Sequence, residues 1–272
     1  MSKPGPRFPA RLGPLQPASK TGSASVLRPQ RPVHEAARDA TRRSDPGTRS
    51  AGLGLDSQAV RLRMVARLRA DGVRCEPVLQ AFASVERHRF VDTALATQAY
   101  EDTSLPIGLG QTISKPSVVA RMLSLLFAGE GASARGHLGR VLEIGTGCGY
   151  QTALLALLST RVLSIERLKP LHDKARAHLA GWPQGDVRLV YADGRQGHGP
   201  SAPYDSIVAA AGGDDLPAAW IDQLAMGGRL VAPMHDAASG GQVLLVLDKH
   251  AGGVRRQLHD AVHFVPLKSG TA

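Results

Sequence analysis

Three glycines alternate at 145, 147 and 149, directly after the short apolar run Val141 to Ile144 and ahead of the apolar stretch Ala153 to Leu158. A buried strand, a glycine turn and a helix, in that order, make a seat for a ligand. Glycine lets the chain turn with positive φ and lets a ligand approach bare backbone. The helix start adds N–H groups without intrahelical partners and the positive end of a dipole. A second strand, Arg161 to Ile165, closes on Glu166, 21 positions after Gly145. A carboxylate there can accept both hydroxyls of a ribose diol. A third strand end carries Asp193 and Gly194. Together these residues predict a site for a nucleoside-bearing cofactor. Dinucleotide sites use G-x-G-x-x-G, whose third glycine lies inside the helix. The spacing here is G-x-G-x-G, which leaves nicotinamide chemistry as a rival reading.

No histidine or acid motif accompanies Cys148, so that thiol reads as a small loop filler and not as a nucleophile. None of the ten histidines falls at ligand spacing, and no metal is expected. A second segment draws notice by its hydroxyls. Leu105 to Pro116 carries two glycines, two central prolines' worth of turn signal at its ends, and Gln111, Thr112, Ser114 and Lys115 close together. It reads as a loop before a helix from Ser117 to Leu126, able to present hydroxyls and helix N–H groups to a ligand. Composition alone would make it an ordinary surface loop.

The elements that must hold these residues alternate. Val60, Met64, Val65 and Leu68 fall at helical spacing, with Asp56 or Ser57 as cap and Gly72 as stop. Glu76 to Val85 reads as a second helix, and His88 to Val91 as a short helical stretch. After the glycine turn come a helix from Lys169 to Ala180, strands over Val187 to Tyr191 and Tyr204 to Ala209, and a helix from Pro217 to Leu224. A Gly227-Gly228 stop then precedes strands over Arg229 to Ala232, Gln242 to Leu247 and Val254 to Val265. This alternation predicts an α/β fold: a doubly wound, mostly parallel sheet with a C-terminal antiparallel hairpin and N-terminal helices. Ligands of such sheets sit at the strands' carboxyl ends. Gly145, Glu166 and Asp193 all follow such ends.

The chain has 272 residues, enough for one large α/β domain with extras. No run approaches the length of a membrane helix, and Cys75 and Cys148 are the only cysteines. A reducing compartment, the cytoplasm, is expected, with no membrane partner. Residues 1–55 hold ten lysines and arginines against three acids, so seven of the ten net positive charges lie there. That stretch is rich in Pro, Gly, Ser and Arg and reads as a disordered tail. The domain proper, 56–268, is then nearly neutral, which argues against nucleic acid as its partner. Within it, 56–128 forms a helical part with the loop 105–116, 138–268 forms the cofactor sheet, and 269–272 is set apart as an end.

The longer motifs resemble one family. The stretches "RFV…AYEDTSLPIGLGQTISKPSVV", "VLEIGTGCGYQTALLA", "VLSIERLKPL", "ADGRQG", "PYDSIVAAAG", "GGRLVAPM" and "VHFVPL" are similar to the signatures of protein-L-isoaspartate O-methyltransferases. The glycine turn likewise resembles the first motif of S-adenosylmethionine-dependent methyltransferases in general. The resemblance spans roughly residues 60–267. It implies a Rossmann-like methyltransferase fold and S-adenosyl-L-methionine as cofactor. The substrate it implies is the α-carboxylate of isoaspartyl residues in damaged proteins, handled by a monomer. By matching positions it makes Ser114 the active-site hydroxyl. Gln111, Thr112 and Ile113 would border cofactor and substrate. Gly145, Gly147 and Gly149 would line the cofactor, Glu166 would hold the ribose, and Asp193 and Gly194 would face the adenine.

Elementary chemistry fits this. A carboxylate with a pKa of about 3.5 to 4 is already ionised at neutral pH. It needs alignment and desolvation, not a strong base. The sequence departs from the family at Lys115-Pro116-Ser117, at Gly212-Gly213-Asp214-Asp215 and at Lys268. These departures fall on the expected substrate rim and keep open a methyltransferase acting on RNA or a small molecule, or a non-catalytic binding protein.

Overall fold

The computed structural model describes residues 58–272. The expected tail, and the expected cap at Asp56 or Ser57, lie outside the described residues. Two helices open the chain, α1 (Gln58–Ala70) and α2 (Glu76–Ser84). Gly72 follows α1 with φ 100°, a left-handed position that stops the helix without a Cβ clash. Each helix turns one apolar face inward: Met64, Val65 and Leu68 from α1, Val78, Leu79 and Phe82 from α2. A 3-10 turn, Arg87–Phe90, leads on to the segment that the sequence reading took for a loop.

That segment is a small hairpin. Strand β1 (Leu105–Gly108) pairs antiparallel with β2 (Gln111–Ile113). Its tip, Gly108-Leu109-Gly110, holds three successive residues at positive φ, of which Leu109, at 54°, is the only non-glycine so placed among the described residues. The alternation Leu105, Ile107 buried against Pro106, Gly108 exposed is a strand pattern that the flanking prolines and glycines mask. Helix α3 (Pro116–Phe127) follows, with proline in its first turn where a missing N–H costs nothing. A further short helix, α4 (Glu130–Arg135), stands where Gly, Ala and Ser fill the four positions between a glutamate and an arginine.

The core sheet has seven strands: β3 (Arg140–Ile144), β4 (Arg161–Glu166), β5 (Asp186–Tyr191), β6 (Tyr204–Ala209), β7 (Leu224–Asp236), β8 (Gly241–His250) and β9 (Gly253–Val262). Their order is β5-β4-β3-β6-β7-β8-β9. β3 to β7 run parallel, and β8 and β9 complete an antiparallel meander. Helices α5 (Tyr150–Leu158), α6 (Lys169–His178) and α7 (Ala218–Gln223) fill the crossovers. Two apolar clusters flank the sheet. One joins α1, α2, α3 and α5 to it; the other surrounds Trp220, Leu142, Ile165 and Leu230. The expected doubly wound α/β fold is therefore present, and the sheet adds a second correction to that of the hairpin. β7 begins at Leu224 and runs through Gly227 and Gly228, so the two glycines lie in an irregular stretch of a strand and are not the stop of the preceding helix.

Candidate functional site

The strand order reverses at β3: β4 lies to one side and β6 to the other. Chain leaving the two central strands diverges there and opens a crevice at their carboxyl ends. A cavity of about 400 Å3 occupies that place, lined by Gly145 beyond β3, by Glu166 at the end of β4 and by Ala210 beyond β6. Its opposite wall is the hairpin, through Ile107 and Leu109 to Ser114.

Gly145, Gly147 and Gly149 all have positive φ, at 91°, 56° and 92°. The bare backbone has a second use at Gly147. A Cβ there would stand 3.2 Å from Cδ1 of Ile107, so glycine lets the hairpin wall close on the sheet wall. Glu166 is 5% exposed. Its Oε2 accepts the Gly147 N–H at 2.9 Å and its Oε1 accepts the Leu168 N–H at 2.9 Å. The carboxylate thus pins the glycine turn, and each oxygen keeps a lone pair for a ligand hydroxyl. Below it Glu143 is fully buried, accepting from Gln151 Nε2 at 3.0 Å and Thr152 Oγ1 at 2.5 Å. Burial outweighs these donors and pushes its pKa up to about 7.

Ser114 lies between the end of β2 and the start of α3, half-buried in the cavity wall. Its hydroxyl has no hydrogen-bond partner among the described residues. The capping of α3 falls instead to Asp102, whose carboxylate accepts the Ser117 N–H at 2.8 Å and the Ser117 hydroxyl at 2.7 Å. Gln111, Thr112, Ile113, Ser114, Gly145, Gly147, Glu166 and Gly194 all line the cavity. Gly149 and Asp193 are not among its lining residues. Gly149 packs the start of α5 against α6 and its neighbours, where a Cβ would meet Leu179 at 3.1 Å. The Asp193 carboxylate accepts the Arg195 N–H at 2.9 Å and the Gly270 N–H at 2.7 Å. It shapes the turn that puts Gly194 in the wall.

The sequence places Lys268 on the rim but gives no sign of how the residues after it close the site. Residues 265–268 line the cavity, and the residues after them strap the strand ends. Ala272 donates to the Arg167 carbonyl at 2.8 Å and accepts from the Lys169 N–H at 2.7 Å, while Arg167 Nε donates to the Gly270 carbonyl at 2.9 Å. Residues 269–272 therefore pack on the site they were set apart from. Gly212 pairs with Val265 and Leu267 through its N–H at 2.8 Å and its carbonyl at 2.6 Å. A Cβ at that position would run into the Gln242 amide, so this departure from the family suits close backbone approach. Of the other departures, Lys268 lines the cavity and Lys115 is exposed beside it. Among the described residues no group of three or more His, Cys, Asp or Glu is arranged to hold a metal ion.

A glycine turn at the switch point, a strand-end acid gripping that turn, and a hairpin closing the far wall define a nucleoside-cofactor site of the methyltransferase type. Residues 59–272 match the sequence model of the protein-L-isoaspartate(D-aspartate) O-methyltransferase family, and the chain belongs to that family. It is 64% identical over 270 residues to a protein-L-isoaspartate O-methyltransferase of Methylibium petroleiphilum, covering 99% of this chain and 98% of that one. A Leptothrix cholodnii relative of the same description is 57% identical, over 98% of this chain and 95% of its own. Among solved structures, a protein-L-isoaspartate O-methyltransferase superposes with a TM-score of 0.68 at 25% identity, over 77% of this chain and 66% of that one. A Plasmodium falciparum structure, described as a beta-aspartate methyltransferase in complex with S-adenosyl-L-homocysteine, shares the fold with a TM-score of 0.63 at 23% identity. That alignment covers 76% of this chain and 98% of the Plasmodium one.

Proposed function

We propose that this chain is a repair enzyme that methylates the α-carboxylate of isoaspartyl residues in damaged proteins, with S-adenosyl-L-methionine as cofactor. The observation that carries the reading is the single cavity shared by two motifs. The hairpin segment Gln111 to Ser114 and the glycine turn with Glu166 face one space, so substrate and cofactor would meet there. The cradle suits the cofactor in kind. Ile144, Ile165 and Leu171 offer apolar surface, and the second lone pairs of the Glu166 carboxylate suit a ribose diol.

Bound there, S-adenosyl-L-methionine would supply an electrophilic methyl group on a positively charged sulfur. The chain's own residues have three tasks. Glu166 and the turn it pins, with Gly194, hold the nucleoside. Gln111, Thr112, Ile113 and Ser114 position the substrate, the Ser114 hydroxyl donating a hydrogen bond to the carboxylate oxygen that does not react. The hairpin and residues 265–268 exclude water, which raises the reactivity of the remaining oxygen. No residue need take a proton, because the nucleophile is already charged at neutral pH.

The same reading makes isoaspartyl peptides and proteins the partners of a monomeric, cytoplasmic enzyme with no part for nucleic acid. Residues 56–268 form the catalytic domain in this reading and 1–55 are dispensable. Among the described residues no helix is long and apolar enough to cross a membrane. The test is methyl transfer from radiolabelled S-adenosylmethionine to paired peptides that differ only in isoaspartyl against aspartyl linkage. Labelling of the isoaspartyl peptide alone is expected; equal labelling, or none, would overturn the reading.

A further inference from the structure

Arg87 is the largest charged side chain wholly removed from solvent, at 0% exposure. A guanidinium cannot shed its charge by losing a proton, so such burial ordinarily demands a carboxylate partner. Among the described residues none lies within ion-pair reach. The carboxylate whose charge acts on it is that of Asp102, and its oxygens are engaged by Ser117. Arg87 instead serves backbone. Its Nε donates to the Ala99 carbonyl at 2.7 Å and its Nη2 to the Ser114 carbonyl at 2.8 Å. Its Cζ lies 4.8 Å from the centroid of the Tyr150 ring, within cation–π range. Phe82 and Phe90 close on that ring edge-on, at 6.1 and 5.6 Å.

These contacts join two walls that no strand joins. Ser114 follows the last residue of β2 and precedes α3, so no ladder fixes its carbonyl. Tyr150 is the first residue of α5, next to the glycine turn, and lines the cavity from the other side. One planar, multi-donor group therefore holds the peptide plane after Ser114 at a set position relative to the glycine turn. A lysine could make one of these contacts but not the fork. An apolar side chain among Phe82, Phe90 and Tyr150 would avoid the desolvation cost but leave the Ala99 and Ser114 carbonyls without this donor.

We propose that Arg87 is the positioning residue for Ser114, fixing the direction of its hydroxyl over the cofactor cradle; the proposal rests on the function proposed above. Arg87 does not line the cavity. It acts on turnover through Ser114.

The test combines Arg87→Lys and Ser114→Ala with a readout independent of activity. Hydrogen–deuterium exchange of the full chain should show faster exchange over residues 111–117 in Arg87→Lys, with the sheet unchanged. Against an isoaspartyl peptide, Arg87→Lys should lower kcat by roughly tenfold or more, as misplacement of about an ångström does, and leave the Kd for S-adenosylhomocysteine within about twofold. In the Ser114→Ala background the same change should cost less than about twofold, because residues acting as a unit are not additive. Equal losses in both backgrounds, a cofactor Kd that weakens in step with Tm, or unaltered exchange over 111–117 would each overturn the proposal. If Arg87→Lys does not fold, Arg87→Gln, which keeps a planar donor, replaces it; failure of both to fold would make Arg87 a core residue only and overturn the proposal. If the parent methylates no isoaspartyl peptide, the proposed function fails, and the exchange measurement alone decides the role of Arg87.

Discussion

Ser114 and Glu143 show what a single side chain contributes at this site. The cap of α3 belongs to Asp102, so removing the Ser114 hydroxyl takes nothing from the helix. Ser114→Ala should reduce kcat/KM for an isoaspartyl peptide by roughly tenfold or more while Tm stays nearly constant. Steady-state kinetics beside a thermal melt will decide; full activity in the variant would remove the hydroxyl from the mechanism. Glu143 supplies a pH signature. Its folded pKa of about 7 stands above the ordinary carboxyl value of 4.5. The folded state keeps its proton where the unfolded chain has lost it, so its contribution is full below about pH 4.5 and lost as pH rises towards 7. Glu143→Gln should therefore gain stability relative to the parent between pH 5 and 8, a difference read from urea unfolding at both ends. A constant difference across that window would show that Glu143 is ionised in the fold. Spacing alone located Glu166, because a strand end fixes where a residue sits. It could not tell that the Asp193 carboxylate also accepts the Arg195 and Gly270 N–H groups. Arg87 escaped notice because arginine is ordinarily a surface residue. Glu143 had a visible signal, an acid inside the run Val141 to Ile144.

At the scale of elements, strands were read to within a residue or two wherever they are buried on both faces, as in β3, β4 and β6. A continuous apolar run bounded by turn residues leaves little choice of period. The hairpin β1–β2 was read as a loop because Pro106, Gly108 and Gly110 outweigh its two-residue alternation. The true extent of β7 was hidden by Gly227-Gly228, and α4 by its small residues. The strap of residues 269–272 had no periodic pattern at all; only tertiary hydrogen bonds define it. Those bonds carry a prediction. Ending the chain after Lys268 removes the Gly270 donor from Asp193 and the Ala272 contacts from Arg167 and Lys169. Four hydrogen bonds go in all; if the cradle loses the equivalent of one of them, about 1 kcal/mol, cofactor affinity should weaken roughly fivefold. Calorimetry of the shortened chain will show it, and an unchanged Kd would confine the strap to stability.

For the whole molecule, composition set the expected division of the chain into a basic stretch and a domain. The charge split between residues 1–55 and the rest made the domain nearly neutral. A chain beginning at Asp56 should keep the parent's turnover on a short isoaspartyl peptide. Collapse of turnover with the fold intact, judged by circular dichroism, would make the tail part of the site. The hairpin tip has a wider consequence. Leu109 is 57% exposed, left-handed and on the cavity wall. It buries little and holds a backbone conformation that costs a leucine about 1 kcal/mol. Asparagine adopts that conformation more readily, so Leu109→Asn should raise the unfolding free energy by up to about 1 kcal/mol. If the apolar knob contacts the peptide, the same change raises the peptide KM. The tip would then be a point at which greater ruggedness and better turnover pull the sequence in opposite directions.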